Sequence, residues 1–158
     1  MRKLLSGGMV VFAGMVTVPW TLSPQQAAKA AAPDYRNDPR LQRLHRFFAG
    51  EGCPAHQFSD AFLEAADRYS LDWRLLPSIS FVESSGGKAL RNNNLFGWAS
   101  GRAVFPSVVA GIHTVGYLLA NSALYKDKNL DAVLATYNPD PAYALRVKSV
   151  MRRICPTR

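Results

Sequence analysis

The sequence predicts a mainly α fold: one helical domain with five to seven helices. Apolar residues recur at i, i+3, i+4 and i+7 in segment after segment. Several of these segments follow a helix-start signal, among them Asp38-Pro39, Ser107 and Asn129. The 158 residues suffice for one domain with a real core, and they contain no internal repeat and no low-complexity linker.

Residues 1–30 read as a secretory signal peptide. Arg2 and Lys3 form its positive end, Leu4 to Trp20 its apolar part, and Ala28-Lys29-Ala30 fits a cleavage site. The apolar run is short for a membrane span, so an uncleaved anchor is the lesser alternative. A periplasmic or secreted location follows, with no stable membrane association after cleavage. Residues 31–37 are expected to be a flexible N-terminus, and residues 38–158 the domain.

Asp38-Pro39 starts the first helix, with Leu41, Leu44, Phe47 and Phe48 on one face and Gly50 and Gly52 closing it. His45, between Arg43 and Arg46, reads as solvated. Pro54 opens a second helix carrying Phe58, Ala61, Phe62, Ala65 and Tyr69. Ser70-Leu71-Asp72 turns the chain into a third, expected from an Asp72 N-cap into Glu83, with Pro77 near its first turn. Trp73 reads as core or as groove lining. Ser84 to Pro106 is a polar loop rich in Gly and Asn. Ser107 caps a fourth helix with Val108, Ile112, Val115 and Leu119 inward and His113 at the core boundary. Asn129 caps a short helix bearing Leu130, Val133, Leu134 and Tyr137. Asn138-Pro139-Asp140-Pro141 turns into the last helix, lined by Tyr143, Val147, Val150, Met151 and Ile154. Arg152 and Arg153 near its end suit the helix dipole.

The third helix carries the chemistry. Leu76, Ile79 and Ser80 share a face, and Glu83 follows Leu76 by seven residues, two turns less roughly 20°. Glu83 therefore falls on the apolar stripe. Burial disfavours its charged form, and so does the negative end of the helix. Both effects raise its pKa. A carboxylic acid that keeps its proton near neutrality is what general-acid attack on a glycosidic oxygen requires. The bland alternative is a helix-end Glu that frays or pairs with an Arg. Asn92, Asn93 and Asn94 offer amides suited to sugar hydroxyls and acetamido groups. Phe96 and Trp98 could stack on a sugar face. Ordinary turn chemistry and a hydrophobic plug of Leu95 and Phe96 are the competing reading.

Glu83-Ser84, Gly87-Lys88, Asn93-Asn94-Leu95-Phe96-Gly97 and Tyr137-Asn138-Pro139, in that order, resemble the bacterial glucosaminidase family of peptidoglycan hydrolases. These are relatives of lytic transglycosylases in the lysozyme-like superfamily. The similarity spans roughly residues 57 to 154. It implies a lysozyme-like domain with a short loop lobe after the catalytic-Glu helix, acting on β-1,4 bonds of peptidoglycan glycan strands. Glu83 would be general acid/base. Tyr137 would face it across a groove and support the transition state. Ser84, Asn93, Asn94, Phe96, Trp98 and Asn138 would contact substrate. Two features depart from the family: a shorter spacing from Glu83 to Asn93, and no distal carboxylate. There is no Asp or Glu between Glu83 and Asp127. Glycosidases usually use two carboxylates. So either Asp127, Asp131 or Asp140 folds back to the cleft, or a substrate N-acetyl or 6-hydroxyl group attacks in its place. The Asn-Asn-Leu-Phe-Gly element favours a glucosaminidase, the lone acid a lytic transglycosylase. A non-catalytic wall-binding or secretion-machine accessory protein is the alternative from another class.

The formal charge is +8, and loss of Arg2, Lys3 and Lys29 with the signal leaves +5. A moderately basic exported protein suits an anionic cell wall. No basic run with interleaved aromatics points to nucleic acid. The motifs of serine hydrolases, zinc peptidases and phosphate-binding loops are missing. Cys53 and Cys155 bracket the domain, and in an exported protein such a pair is most simply a disulfide. Its loop of about 100 residues would contribute on the order of 4–5 kcal/mol. Two buried free thiols, or a reactive thiol, are the alternatives. Without clustered His, no metal is expected, nor any cofactor. A monomer is expected.

Overall fold

The computed structural model describes residues 33–156. The expected signal peptide and the first residues after it lie outside the described residues. Within them the domain is all-α, with six α-helices and no strand. The helices are α1 (Pro39–Gly50), α2 (Ser59–Tyr69), α3 (Leu75–Ser84), α4 (Val108–Asn121), α5 (Leu130–Tyr137) and α6 (Pro141–Ile154). A 3₁₀ turn, Pro54–Phe58, precedes α2. No described helix is long and apolar enough to cross a membrane.

The caps act where their chemistry requires. Asp38 accepts from the Arg40 amide, Ser107 from Ala110, Asn129 from Ala132 and Asp140 from Ala142. The start of α3 departs from expectation. Asp72 accepts from the Arg74 amide and pairs with the Arg74 side chain, but this turn precedes the helix. The helix begins at Leu75, with Pro77 in its first turn, where a missing N–H costs nothing. Arg74 also donates to the Cys155 carbonyl and so ties α3 to the end of α6.

α2 packs on α4, α3 on α6, and α1 on the 3₁₀ turn and α2. Leu44, Phe48, Phe62, Leu76, Ile79, Ile112 and Leu134 are fully buried between them. Each contributes about 1.5–3 kcal/mol by leaving water. Gly116 lets the Tyr69 ring approach α4, since a Cβ there would lie 3.0 Å from it. Arg153, near the end of α6, lies 5.3 Å from both the Phe47 and Phe81 rings and pairs with Glu51. That cation sandwich joins α6 to α1 and α3.

Within the stretch read as flexible, one residue is seated on the domain. The Tyr35 ring is buried, and its hydroxyl donates to Asp67 at 3.0 Å. Arg40 bridges Asp67 and Asp38 beside it. The cysteines correct an expectation: Cys53 and Cys155 are free thiols, with no bond between them. Cys53 is buried against Gly86, where an added Cβ would lie 2.7 Å from the Cys53 Cβ. Cys155 is partly exposed at the end of α6, its sulfur directed to the Pro156 carbonyl.

Candidate functional site

Residues 85–106 contain no helix, so side chains must satisfy their backbone. Asn94 does most of this. It is 5% exposed. Its amide nitrogen donates to the Trp98 and Ala103 carbonyls, and its oxygen accepts from the Phe96 and Trp98 amides. Asn93 donates to the Phe105 carbonyl at 2.9 Å. Ser84, buried, donates to the Ser80 and Leu95 carbonyls and accepts from the Gly87 amide. Phe96 is fully buried, edge-on to Phe62. Asn138 accepts from the Asp140 amide within its turn. The expected substrate contacts at Ser84, Asn94 and Phe96 are therefore corrected: these side chains build the lobe and have no surface or free polar atom to offer. Asn93 and Asn138 are partly exposed, but each has a polar atom in use locally. Trp98 keeps a partly exposed ring, packed against Tyr125 and Tyr137.

The lobe also leans on α3 at Glu83. Gly97 has φ +60°, and a Cβ there would lie 2.5 Å from Glu83 Oε2. The carboxyl thus rests against bare backbone. Glu83 is half-buried, as its place on the stripe requires. Burial raises its pKa, opposed by the nearby Tyr143 hydroxyl and the Arg146 guanidinium. The aspartates with shifted pKa, namely Asp34, Asp38, Asp67 and Asp72, all move down, held by arginine partners.

The Tyr137 hydroxyl is engaged within the lobe, donating to the Phe96 carbonyl at 2.5 Å. Burial pushes its ionisation far up. The tyrosine beside Glu83 is Tyr143, stacked on Tyr137 with ring centres 5.8 Å apart and planes 4° from parallel. The Tyr143 hydroxyl lies beside the carboxyl and has no hydrogen-bond partner among the described residues. Sequence reasoning placed Tyr143 on the core face of the last helix. Nothing local distinguishes it from Val147, one turn on, as a stripe residue.

None of the candidate second carboxylates is among the groups that act on Glu83. Asp131 pairs with Lys148. Asp140 caps α6 and pairs with Arg146 at 3.2 Å. Asp127 is exposed, in a left-handed turn at φ 62°. No other carboxylate is among the charges that act on Glu83. Among the described residues no cluster of three or more metal-ligating side chains occurs. A cavity of about 570 Å³ opens elsewhere, between α1 and the 3₁₀ turn, lined by His45, Arg46, His56 and Asp60 among others. It shares no residue with the Glu83 cluster. No family model, curated protein or solved structure matches the chain.

Proposed function

We propose that the chain is an exported glycosidase of peptidoglycan glycan strands, built on a lysozyme-like scaffold, with Glu83 as its general acid/base. The observation that supports this most is the Glu83 carboxyl itself. It is half-buried, biased toward its protonated form, and against the Gly97 backbone, which leads into the partly exposed ring of Trp98 packed on Tyr137. Such rings suit the apolar face of a sugar. Glu83 would protonate the leaving oxygen and then, as carboxylate, take a proton from the attacking hydroxyl or water. Export rests on the pattern of residues 1–30, and the basic charge suits an anionic wall.

One observation favours a second reading. With Asp131 and Asp140 engaged by Lys148 and Arg146, no second carboxylate acts at Glu83. A lone acid suits a lytic transglycosylase, in which a muramic 6-hydroxyl attacks the same carbon. Digestion of purified sacculi followed by mass analysis separates the readings. Reducing GlcNAc ends mark a glucosaminidase, and anhydro-muramic ends a transglycosylase. Glu83→Gln should lower the rate by roughly 10²–10⁴-fold, the usual range for a general acid. Equal rates for variant and parent overturn the mechanism. Sacculus binding without released fragments means a wall-binding accessory protein.

A further inference from the structure

The Glu83 cluster holds one buried polar atom that nothing satisfies. Tyr143 is 1% exposed, and its hydroxyl has no partner among the described residues. Buried hydroxyls are normally bonded, and one left alone is unfavourable. Phenylalanine would fill the same space without the desolvated oxygen. The ring is held on two sides: flat against Tyr137 at 5.8 Å, and under the Arg146 guanidinium at 5.9 Å. Tyr137 is in turn anchored through its hydroxyl to the Phe96 carbonyl. The Tyr143 oxygen is therefore kept beside the Glu83 carboxyl by a stack that leads back to the lobe on which that carboxyl rests.

We propose that Tyr143 is the positioning residue for Glu83, its hydroxyl donating to the Glu83 carboxylate once the carboxylate has released its proton. In the structure the hydroxyl stands unpaired, with the Glu83 carboxyl as the acceptor beside it. The bond forms when charge appears, so it favours proton release and orients the carboxylate for return of a proton. In the reaction proposed above, on which this clause rests, the Glu83 O–H bond breaks as its proton passes to the glycosidic oxygen. That oxygen keeps the electron pair of the severed C–O bond. Tyr143 retains its own proton throughout. Burial pushes its ionisation far up, and so does the adjacent carboxylate, which suits a permanent donor. The groups that act on Glu83 are Tyr143 and Arg146 from α6, and the Glu83 charge acts in turn on Tyr137 from α5, with Tyr125 behind it. The lobe presents the backbone of Gly97, and the Glu51–Arg153 pair lies on the Phe81 side of α3.

The test is a titration of carboxyl carbons by NMR in full-length protein carrying ¹³Cδ-glutamate. The chain has three glutamates, Glu51, Glu64 and Glu83, and the Glu83 signal is the one that disappears in Glu83→Gln. In Tyr143→Phe the Glu83 midpoint should move to higher pH, because the carboxylate loses a donor. The alkaline limb of sacculus digestion should move the same way, turnover should fall about tenfold, and Tm should hold or rise. A Tyr143 that merely fills the core would lower Tm and leave the midpoint in place. An unmoved midpoint in folded Tyr143→Phe overturns the proposal. If that variant does not fold, ¹³Cζ-tyrosine in the parent and in Glu83→Gln gives the answer. The Tyr143 signal should follow the Glu83 titration in the parent and lie flat in the variant, and a flat signal in both overturns the proposal. A shifted midpoint in protein that releases no glycan leaves the pairing standing and removes the glycosidase.

Discussion

Gly97 is glycine for two separate reasons. Its φ of +60° disfavours a side chain, and the Glu83 carboxyl occupies the place where one would begin. Gly97→Ala should therefore cost about 1–3 kcal/mol in urea denaturation and lower sacculus digestion along with stability. A variant that loses stability but digests normally would show that Glu83 does not need this seat. Glu83 itself makes a further prediction. Its folded pKa lies above the unfolded value, so the folded state holds its proton to higher pH. Below the ordinary glutamate pKa both states are protonated and nothing is lost. As pH rises through the folded midpoint, stability falls. Glu83→Gln should remove that loss and raise Tm at pH 7 more than at pH 4. Asp38, Asp67 and Asp72 have lowered pKa values and act in the opposite sense, losing their contribution as pH falls. The informative quantity is thus the difference between variant and parent at each pH. Equal Tm differences at the two pH values would mean that the carboxyl is not held protonated.

At the scale of elements, the lobe is held by side chains and not by a backbone ladder. Asn94 makes four hydrogen bonds from a buried position. Asn94→Ala should cost about 2–4 kcal/mol, since several buried partners are left unsatisfied at once, with hydrogen exchange accelerated across residues 92–105. The lobe also carries strain. Ala99 and Ser100 stand at φ 55° and 57°, where L side chains are disfavoured by about 1–2 kcal/mol. Ala99→Gly should raise the urea midpoint. A fall would mean that Ala99 is not in this conformation. Asn92 and Asn93, at φ 54° and 56°, tolerate the same region through their short polar side chains. The Asn run is therefore explained by backbone shape, with Asn93 also tying the lobe to Phe105.

At the scale of the whole molecule, the cysteines decide how the two ends of the domain are held. The structure uses no covalent link between them. The Arg153 sandwich and the Arg74 bond to the Cys155 carbonyl join the C-terminal end of α6 to α1 and α3. Denatured protein should therefore react with two equivalents of a thiol reagent, and a reducing agent should leave Tm unchanged. A Tm that drops by several degrees on reduction would restore the disulfide.

The sequence by itself determined the helices, the caps of all but α2 and α3, and the seat of Glu83. These are local properties: a period near 3.6, a side chain that caps its own helix, and a seven-residue spacing that returns to the same face. It also marked residues 85–106 as a lobe, because Gly and Asn there supply left-handed backbone. What it did not determine is which way the lobe's polar groups turn. Asn94 and Ser84 read as substrate contacts because an amide or hydroxyl in a loop is free until the loop closes on it. The positions of the Tyr137 and Tyr143 hydroxyls were hidden for the same reason. One hydroxyl meets the Phe96 carbonyl and the other comes beside Glu83 only when α5 and α6 pack against α3 and the lobe. Pairings between residues 41 or 60 positions apart come from packing, to which helical periodicity is blind.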